Sequence, residues 1–257
     1  MAGLEIVQIP CLADNYGWLL HDPASGLTAA VDTPDAAAIQ AALNARGWNL
    51  DYILNTHHHS DHAGGNLALK AATGCTVVGC RADAARIPGI DITLDDGDSF
   101  ALGNHVARVV ETPGHTVGHI CYLFGADRAA FVGDTLFSLG CGRLFEGTPG
   151  QMWTSLQKLM ALPDDTGVYC AHEYTASNGR FAVTLEPGNR ALKARVAEVA
   201  RLRAAGAATV PSTIGLEKAT NPFLRPASPE LRATLQLPAA TDVEVLAETR
   251  RRKDQFR

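Results

Sequence analysis

The sequence lacks the features that mark several large classes of protein. No stretch approaches the ~18–20 uninterrupted apolar residues of a membrane span. The first 16 residues contain neither a basic leader nor a long apolar run, so no secretory signal is predicted. A net charge of −5 leaves no broad basic field, which argues against a nucleic-acid partner. We therefore expect a cytoplasmic protein without a membrane or nucleic-acid partner.

The sequence also lacks a pattern of paired cysteines and a motif for a serine nucleophile. The six cysteines are scattered along 257 residues with no C-x-x-C pair, which predicts buried or free thiols in a reducing compartment. No G-x-S-x-G elbow is present, so nothing indicates a serine nucleophile. What the sequence offers instead is histidine and aspartate in a tight pattern.

Strand-like and helix-like patterns divide the sequence near residue 175. Before it, short apolar runs alternate with turns rich in Gly, Pro and Asp, which is typical of many strands with helices between them. After about Ser177 the apolar residues fall at helical spacing. We predict an α/β domain over residues 1–175 and a smaller all-helical domain over 176–257. The predicted strands cover 6–10, 17–21, 28–32, 51–56, 76–79, 105–111, 120–124, 129–133 and 167–171.

Three helix starts have recognisable signals. Thr33-Pro34 predicts an N-cap followed by proline at the first helical position, opening an Ala-rich helix to about Arg46. Thr148-Pro149-x-Gln151 and Thr241-x-x-Glu244 have the spacing of capping boxes.

Seven potential metal ligands lie where predicted strands end. A metal that keeps an open position for chemistry rarely uses more than four protein ligands, so seven indicate two sites that share one bridge. Structural sites prefer cysteine and close with four ligands, which this set does not match. The seven ligands are His57, His59, Asp61 and His62 in T-H-H-H-S-D-H, His115 in T-P-G-H-T, Asp134 in V-G-D-T and His172 in C-A-H-E-Y.

Alternation along the strand assigns these ligands to two metals. His57 and His59 point to one side while His58 faces away, and His115 completes a first set of three. Asp61, His62 and His172 form the second set, and Asp134 is the predicted bridge. His21, His105 and His119 are interpreted as surface or core histidines outside the set.

Two metals about 3.5–4 Å apart can lower the pKa of a bridging water from 15.7 to about 7 and polarise a carbonyl oxygen. The sequence therefore predicts a hydrolase in which Asp61 and Asp134 hold a bridging hydroxide that attacks an acyl carbon.

The ligand run resembles that of the metallo-β-lactamase superfamily, and four further motifs resemble the glyoxalase II (hydroxyacylglutathione hydrolase) family. Those motifs are G-C-G-R-L-F-E-G-T (140–148), A-H-E-Y-T (171–175), T-N-P-F-L-R (220–225) and R-R-R-K-D-Q-F (250–256). The resemblance implies a four-layer αβ/βα sandwich with a helical C-terminal domain. It also implies hydrolysis of S-D-lactoylglutathione to glutathione and D-lactate, the second step of methylglyoxal detoxification.

By this resemblance, Arg143, Tyr174, Arg250 and Lys253 bind the glutathione part of the substrate. Cations suit its two carboxylates. The family commonly has tyrosine where this sequence has Phe145, so only a packing role is expected there. Two divalent ions are implied, zinc first, with iron or manganese as alternatives, in a monomeric protein.

Other functions remain open at this stage. A persulfide dioxygenase of the same superfamily would use a single iron, and a β-lactam or lactone hydrolase would leave the basic C-terminal residues unexplained. A nuclease would need a basic exosite. A non-catalytic binding module would have no use for seven aligned ligands.

Overall fold

A computed structural model describes residues 3–256 of the chain. Its contacts divide the chain into two compact units. Unit 1 contains the residues up to Thr112 together with Thr116–Gly133, and unit 2 contains Pro113–His115 and the residues from Asp134 onward. This division differs from the boundary at residue 175, which stays a prediction. No helix among residues 3–256 is long and apolar enough to cross a membrane.

Unit 1 contains a six-stranded mixed sheet in the order β1-β2-β3-β4-β5-β6. The first three strands pair antiparallel, whereas β3 to β6 are parallel to one another. Parallel strands present their carboxyl ends at one edge, so the residues that follow β3, β4 and β5 gather there. The strands are β1 (Glu5–Cys11), β2 (Asn15–His21), β3 (Thr28–Val31), β4 (Tyr52–Leu54), β5 (Thr76–Cys80) and β6 (Ile92–Leu94).

Helices α1 (Ala36–Arg46) and α3 (Asn66–Thr73) belong to the core of this sheet. Ile39 and Leu43 of α1 and Leu69 of α3 are buried in one cluster with strand residues such as Ile53. A four-residue helix, α2 (Ser60–Ala63), lies between the two along the chain.

The predicted start of α1 was wrong by two residues. Asp35, not Thr33, is the N-cap, and its side chain accepts hydrogen bonds from the backbone N–H groups of Ala37 and Ala38. Thr33 is instead buried, and its hydroxyl donates to Asn66 Oδ1 at 2.6 Å. The Thr33 hydroxyl thus forms a tertiary hydrogen bond instead of the helix cap that the local pattern predicted.

Four further strands of unit 1 pair antiparallel in the order β10-β9-β8-β7. They are β7 (Ser99–Leu102), β8 (His105–Glu111), β9 (Ile120–Phe124) and β10 (Ala129–Gly133).

Unit 2 is mainly helical. Leu139, Ala182 and Leu192 form its buried cluster, with Val183 and Val196 packed against them. Its strands are β11 (Leu136–Phe137), paired with β12 (Gly140–Cys141), and β13 (Gly167–Cys170), paired with β14 (Ser212–Thr213). Its helices are α4 (Pro149–Met160), α5 (Thr175–Leu185), α6 (Arg190–Ala204), α7 (Ile214–Thr220), α8 (Pro229–Leu235) and α9 (Asp242–Gln255).

Both predicted capping boxes are confirmed, at Thr148 and Gln151 for α4 and at Thr241 and Glu244 for α9. All nine predicted strands are present, although β4 is shorter than predicted. The short β14 interrupts a region that we predicted to be entirely helical. The cysteines are free and buried, as predicted.

Candidate active site

Unit 1 brings His57, His59, Asp61 and His62 together beyond the carboxyl end of β4. His57 lies three residues after the last residue of β4, and α2 carries Asp61 and His62. The ligand atoms within the pairs His57–His59, His57–His62 and Asp61–His62 lie within 4.8 Å of each other.

A buried carboxylate at the end of the neighbouring strand orients two of these histidines. Asp32 follows β3 and has a φ of 55°, a left-handed conformation that aspartate tolerates better than most residues. Because a carboxylate only accepts hydrogen bonds, His62 must donate to it from Nδ1–H, at 2.8 Å from Asp32 Oδ2. The Nε2 atom of His62 therefore carries the lone pair that a metal would need.

The same carboxylate orients His57 through Thr56. The Thr56 hydroxyl donates its only proton to Asp32 Oδ2 at 2.7 Å, so it accepts from His57 Nδ1–H at 3.1 Å. The lone pair of His57 is thereby on Nε2, which lies 3.0 Å from His59 Nδ1.

Amide side chains support the rest of this loop. Asn15 Nδ2 donates to the backbone oxygen and to Oδ2 of Asp61, both at 3.2 Å. Asn55 Nδ2 donates to the backbone oxygen of His62 at 3.0 Å, and Tyr122 donates its hydroxyl to the backbone oxygen of Asn55. Burial raises the pKa of Tyr122 well above its ordinary value, so this phenol remains a donor.

Unit 2 brings the other three predicted ligands together around Asp134. His115 Nε2 lies 3.4 Å from Asp134 Oδ2, and His172 Nε2 lies 3.4 Å from Asp134 Oδ1. His115 Nδ1–H donates to the backbone oxygen of Arg143 at 2.8 Å, which leaves its lone pair on Nε2. Each carboxylate oxygen thus faces a different imidazole, an arrangement that suits a carboxylate shared by two ions.

These separations suit metal ligands. Two ligands bound at about 2.0–2.1 Å to a tetrahedral ion are roughly 3.3–3.4 Å apart. The separations of 3.0 Å between His57 and His59 and 3.4 Å around Asp134 are close to that value. The seven predicted ligands, with three lone pairs directed by hydrogen bonds, therefore fit divalent metal binding.

Two glycines lie against the proposed ligands or against the residues that orient them. A Cβ at Gly142 would clash with the backbone oxygen of Asp134 and would lie 3.0 Å from His115 Nδ1. Gly133 has a φ of 46°, and a Cβ there would lie 2.5 Å from Oγ1 of Thr56, the residue that orients His57. A side chain at either position would displace a ligand or its support.

The four histidines that we interpreted as non-ligands have other contacts. His21 binds Thr28 at 2.9 Å and stacks on Trp48, and His105 binds Asp127 at 2.9 Å. His58 Nδ1 lies 2.8 Å from the buried carboxylate of Asp83. His119 Nδ1 lies 2.9 Å from the hydroxyl of Thr112.

The predicted substrate residues all belong to unit 2 but differ in exposure. Arg143 is exposed, while Arg250 is buried and bonds Asp254 and the backbone oxygen of Cys141. Tyr174 is half-buried and stacks on His172, with ring centroids 4.6 Å apart and an interplanar angle of 6°.

Lys253 is half-buried near two aromatic rings. Its Nζ lies 5.6 Å from the ring centroids of Phe181 and Phe256 and donates to Ser177 Oγ at 3.2 Å. Burial, and then the charges of Arg250, Arg180 and Arg143, lower its pKa to about 8. Phe145 is 61% exposed, and its ring centroid lies 5.2 Å from that of His115.

Sequence reasoning missed Asp32, Thr56 and Asn15, which orient the ligands without being ligands themselves. The available signal was Asp32 at the end of an apolar strand, the same position that identified Asp134. Thr56 and Asn15 have no distinguishing pattern, because only the fold brings them to Asp32 and Asp61.

Comparison with known proteins shows the family to which the chain belongs. Residues 13–172 match the family model described as the metallo-beta-lactamase superfamily, and residues 173–256 match the one described as hydroxyacylglutathione hydrolase C-terminus. The hydroxyacylglutathione hydrolase of Methylococcus capsulatus (strain Bath) is 63% identical over 254 residues, covering 99% of both chains. That of Maricaulis maris is 57% identical over 256 residues, covering all of both chains.

Solved structures with the same fold are more distant in sequence. The crystal structure of ETHE1 from Myxococcus xanthus superposes with a TM-score of 0.66 at 25% identity, covering 98% of this chain and 100% of that one. The BLEG-1 B3 metallo-beta-lactamase gives a TM-score of 0.66 at 23% identity, covering 86% of this chain and 100% of that one. The predicted metallo-β-lactamase fold with a helical C-terminal region is confirmed.

Proposed function

We propose a function for this chain from the family to which it belongs, the hydroxyacylglutathione hydrolases of the metallo-β-lactamase superfamily. The chain is a thioester hydrolase that acts on S-(2-hydroxyacyl)glutathione. Its chief substrate is S-D-lactoylglutathione, which it converts to glutathione and D-lactate in methylglyoxal detoxification.

One observation carries the assignment to this particular chain. Tyr174 stacks on the predicted ligand His172 and is also the N-cap of α5, the helix whose Ser177 bonds Lys253. A single short segment of unit 2 therefore connects metal chemistry to a cation. Such a segment suits a thioester whose thiol part carries carboxylates, because the cation can pair with a carboxylate while the acyl group lies near the metal ligands.

We assign two divalent metals to the seven ligands. His57, His59 and His115 would hold the first ion, Asp61, His62 and His172 would hold the second, and Asp134 would be a ligand shared by both. Zinc is the first choice, with iron or manganese as alternatives, because imidazoles and carboxylates without cysteine accept all three. When bound, the ions supply an activated water and polarise the thioester carbonyl.

The chain's own residues orient this chemistry. Asp32 keeps the Nε2 lone pairs of His57 and His62 available, and the Arg143 carbonyl does the same for His115. Asp61 and Asp134 are the carboxylates proposed to position the attacking water. The leaving thiol has a pKa of about 8.5–9, so no strong general acid is required.

Arg143, Tyr174, Arg250 and Lys253 are proposed to bind the glutathione part. Arg250 is proposed to contribute indirectly, because its guanidinium already forms hydrogen bonds with Asp254 and with the backbone oxygen of Cys141. The exposed Arg143 and the half-buried Lys253 are the proposed direct contacts.

The alternative function is that of a persulfide dioxygenase with one iron. The full-length relatives named above are hydrolases, and Asp134 faces two histidines as a shared ligand of two ions would, which favours hydrolysis. Oxygen uptake on glutathione persulfide, measured with an oxygen electrode, would favour the alternative.

The test is release of free thiol from S-D-lactoylglutathione by the metal-replete protein. Activity should disappear on chelation and return when zinc, iron or manganese is added. No turnover by protein that carries two metals per chain would refute the proposal. A cytoplasmic location, a monomeric state and the domain boundary at residue 175 are further proposals, and the monomer is testable by light scattering.

A further inference from the structure

Three cations of unit 2 form a patch around the end of α9. We call Arg143, Arg180 and Lys253 the cationic patch. Burial contributes most to the lowered pKa of Lys253, followed by the charges of Arg250, Arg180 and Arg143. Arg180 is the member that the sequence patterns did not indicate.

The backbone brings these residues together from three directions. Ser177 and Phe181 of α5 both contact Lys253, and Arg180 lies between them on that helix, three residues after Ser177. Arg143 follows Cys141, whose carbonyl accepts a hydrogen bond from Arg250 at 2.9 Å, and Arg250 lies one turn before Lys253 on α9.

Arg180 differs from the neighbouring arginines of α9 in having no acidic partner. Arg250 pairs with Asp254, while Arg251 and Arg252 both pair with Glu248. The exposed Arg180 forms no hydrogen bond or ion pair with any residue of the described chain, 3–256. An unpaired cation beside two others increases the electrostatic repulsion within the patch, and a bound anion would reduce that repulsion.

We propose that Arg180 is a further substrate-binding residue, which holds the glycine carboxylate of the substrate together with Lys253. This inference rests on the proposed function. The glycine carboxylate suits the patch better than the γ-glutamyl carboxylate, because the latter has its own ammonium group beside it, which three cations would repel.

The distances along α5 agree with this assignment. Arg180 lies six residues after Tyr174, which is about 9 Å along a helix axis. Tyr174 stacks on His172, so the reacting thioester belongs near the start of α5. A cysteinyl-glycine unit leading from the thioester sulfur to the carboxylate spans about two extended residues, or roughly 7 Å, which a long arginine side chain can reach.

The experiment compares Arg180→Gln with the wild type on two thioesters, S-D-lactoylglutathione and the same acyl group on γ-glutamylcysteine, which lacks glycine. We expect KM for lactoylglutathione to rise about tenfold, with kcat within about twofold. KM for the glycine-free thioester should change less than about twofold. Arg180→Lys should recover part of the affinity.

Arg201→Gln is the matched control, because Arg201 is an exposed arginine of unit 2 whose loss changes the net charge equally. It should change neither KM. Equal effects of Arg180→Gln on both thioesters, or none on either, would overturn the inference.

Binding of S-methylglutathione, which carries no thioester, separates this inference from the proposed function. If the wild type binds it and Arg180→Gln binds it about tenfold more weakly, the patch holds glutathione even in a protein that hydrolyses no lactoylglutathione. If both proteins bind it equally, Arg180 has no part in recognition.

Discussion

The two halves of the ligand set are oriented by different means. In unit 1, the carboxylate of Asp32 is not a proposed ligand, but its hydrogen bonds set the tautomers of both His57 and His62. In unit 2, the carboxylate of Asp134 is itself a proposed ligand, and a backbone carbonyl sets the tautomer of His115. Two tautomers in unit 1 therefore depend on one supporting carboxylate, whereas the central carboxylate of unit 2 is itself a proposed ligand.

Because of this difference, we expect substitutions of the two carboxylates to affect metal binding differently. Loss of a shared ligand affects both metals at once. Loss of a supporting carboxylate leaves every ligand in place but removes its orientation, which typically costs about 10–100-fold in metal affinity.

The largest effect is expected for Asp134→Ala. Both proposed metals lose a ligand, so kcat/KM for lactoylglutathione should fall by at least about 1000-fold, and the metal content per chain should drop. Thiol release and atomic emission would measure the two quantities. Asp95→Asn, at an exposed carboxylate paired with Arg81, is the control and should behave as the wild type. Wild-type metal content in Asp134→Ala would contradict the shared-ligand assignment.

Asp32→Asn should produce the intermediate effect. Asparagine tolerates the left-handed backbone, but it provides one acceptor oxygen where three donors now converge on two. We expect metal affinity, measured by competition with a chelating dye, to fall about 10–100-fold.

Asp83→Asn tests whether metal affinity depends on the orientation of the ligands or on the presence of any buried carboxylate nearby. Asp83 is equally buried and bonds His58, the histidine of the run that is not a proposed ligand. This variant should lose stability while keeping most of its metal affinity. If Asp83→Asn and Asp32→Asn lost metal affinity equally, the loss would come from removing any buried carboxylate near the loop and not from the orientation of His57 and His62.

A smaller effect concerns the substrate-binding side of unit 2. The pKa of Lys253, about 8, lies below the ordinary value of 10.5, so the side chain is charged below pH 8 and loses its charge as the pH rises through 8. The groups acting on it are Arg250, Arg180, Arg143 and Asp254.

We therefore expect KM for lactoylglutathione to rise about fivefold between pH 7 and 9.5 in the wild type. Lys253→Arg should abolish this rise, whereas Lys193→Met, at an exposed position of α6, should retain it. An unchanged pH profile in Lys253→Arg would exclude Lys253 as its origin.

The smallest effect is expected at Phe145. Its ring is 61% exposed beside His115, so a hydroxyl added by Phe145→Tyr stays in water and should not change thermal stability. A contact to substrate would lower KM about two- to fivefold. An unchanged KM would indicate that position 145 only packs against His115.

The proposed ligands stand out in the sequence because they lie near strand ends and because four of them form a run that has no packing explanation. The strands of four or more residues could largely be predicted as well, since their alternation is long enough to detect. β11, β12 and β14 have two residues each, too few for any period. β7, with four residues, was also missed, although its exposed and buried positions alternate.

Tertiary choices could not be predicted. Thr33 had a good capping pattern, but its hydroxyl bonds Asn66 from another helix. Arg180 looked like an ordinary helix arginine until the fold placed it beside Lys253. Both cases depend on contacts between residues far apart in sequence, which no local pattern contains.

The buried cysteines have a consequence for an enzyme whose product is a thiol. Burial raises the pKa of Cys11, Cys75 and Cys80, that of Cys141 to about 11 and that of Cys170 to about 12. Thiols of this kind hold their protons at neutral pH and exchange slowly with disulfides. We therefore expect these five thiols to be poor partners for mixed disulfides with the glutathione that the enzyme releases.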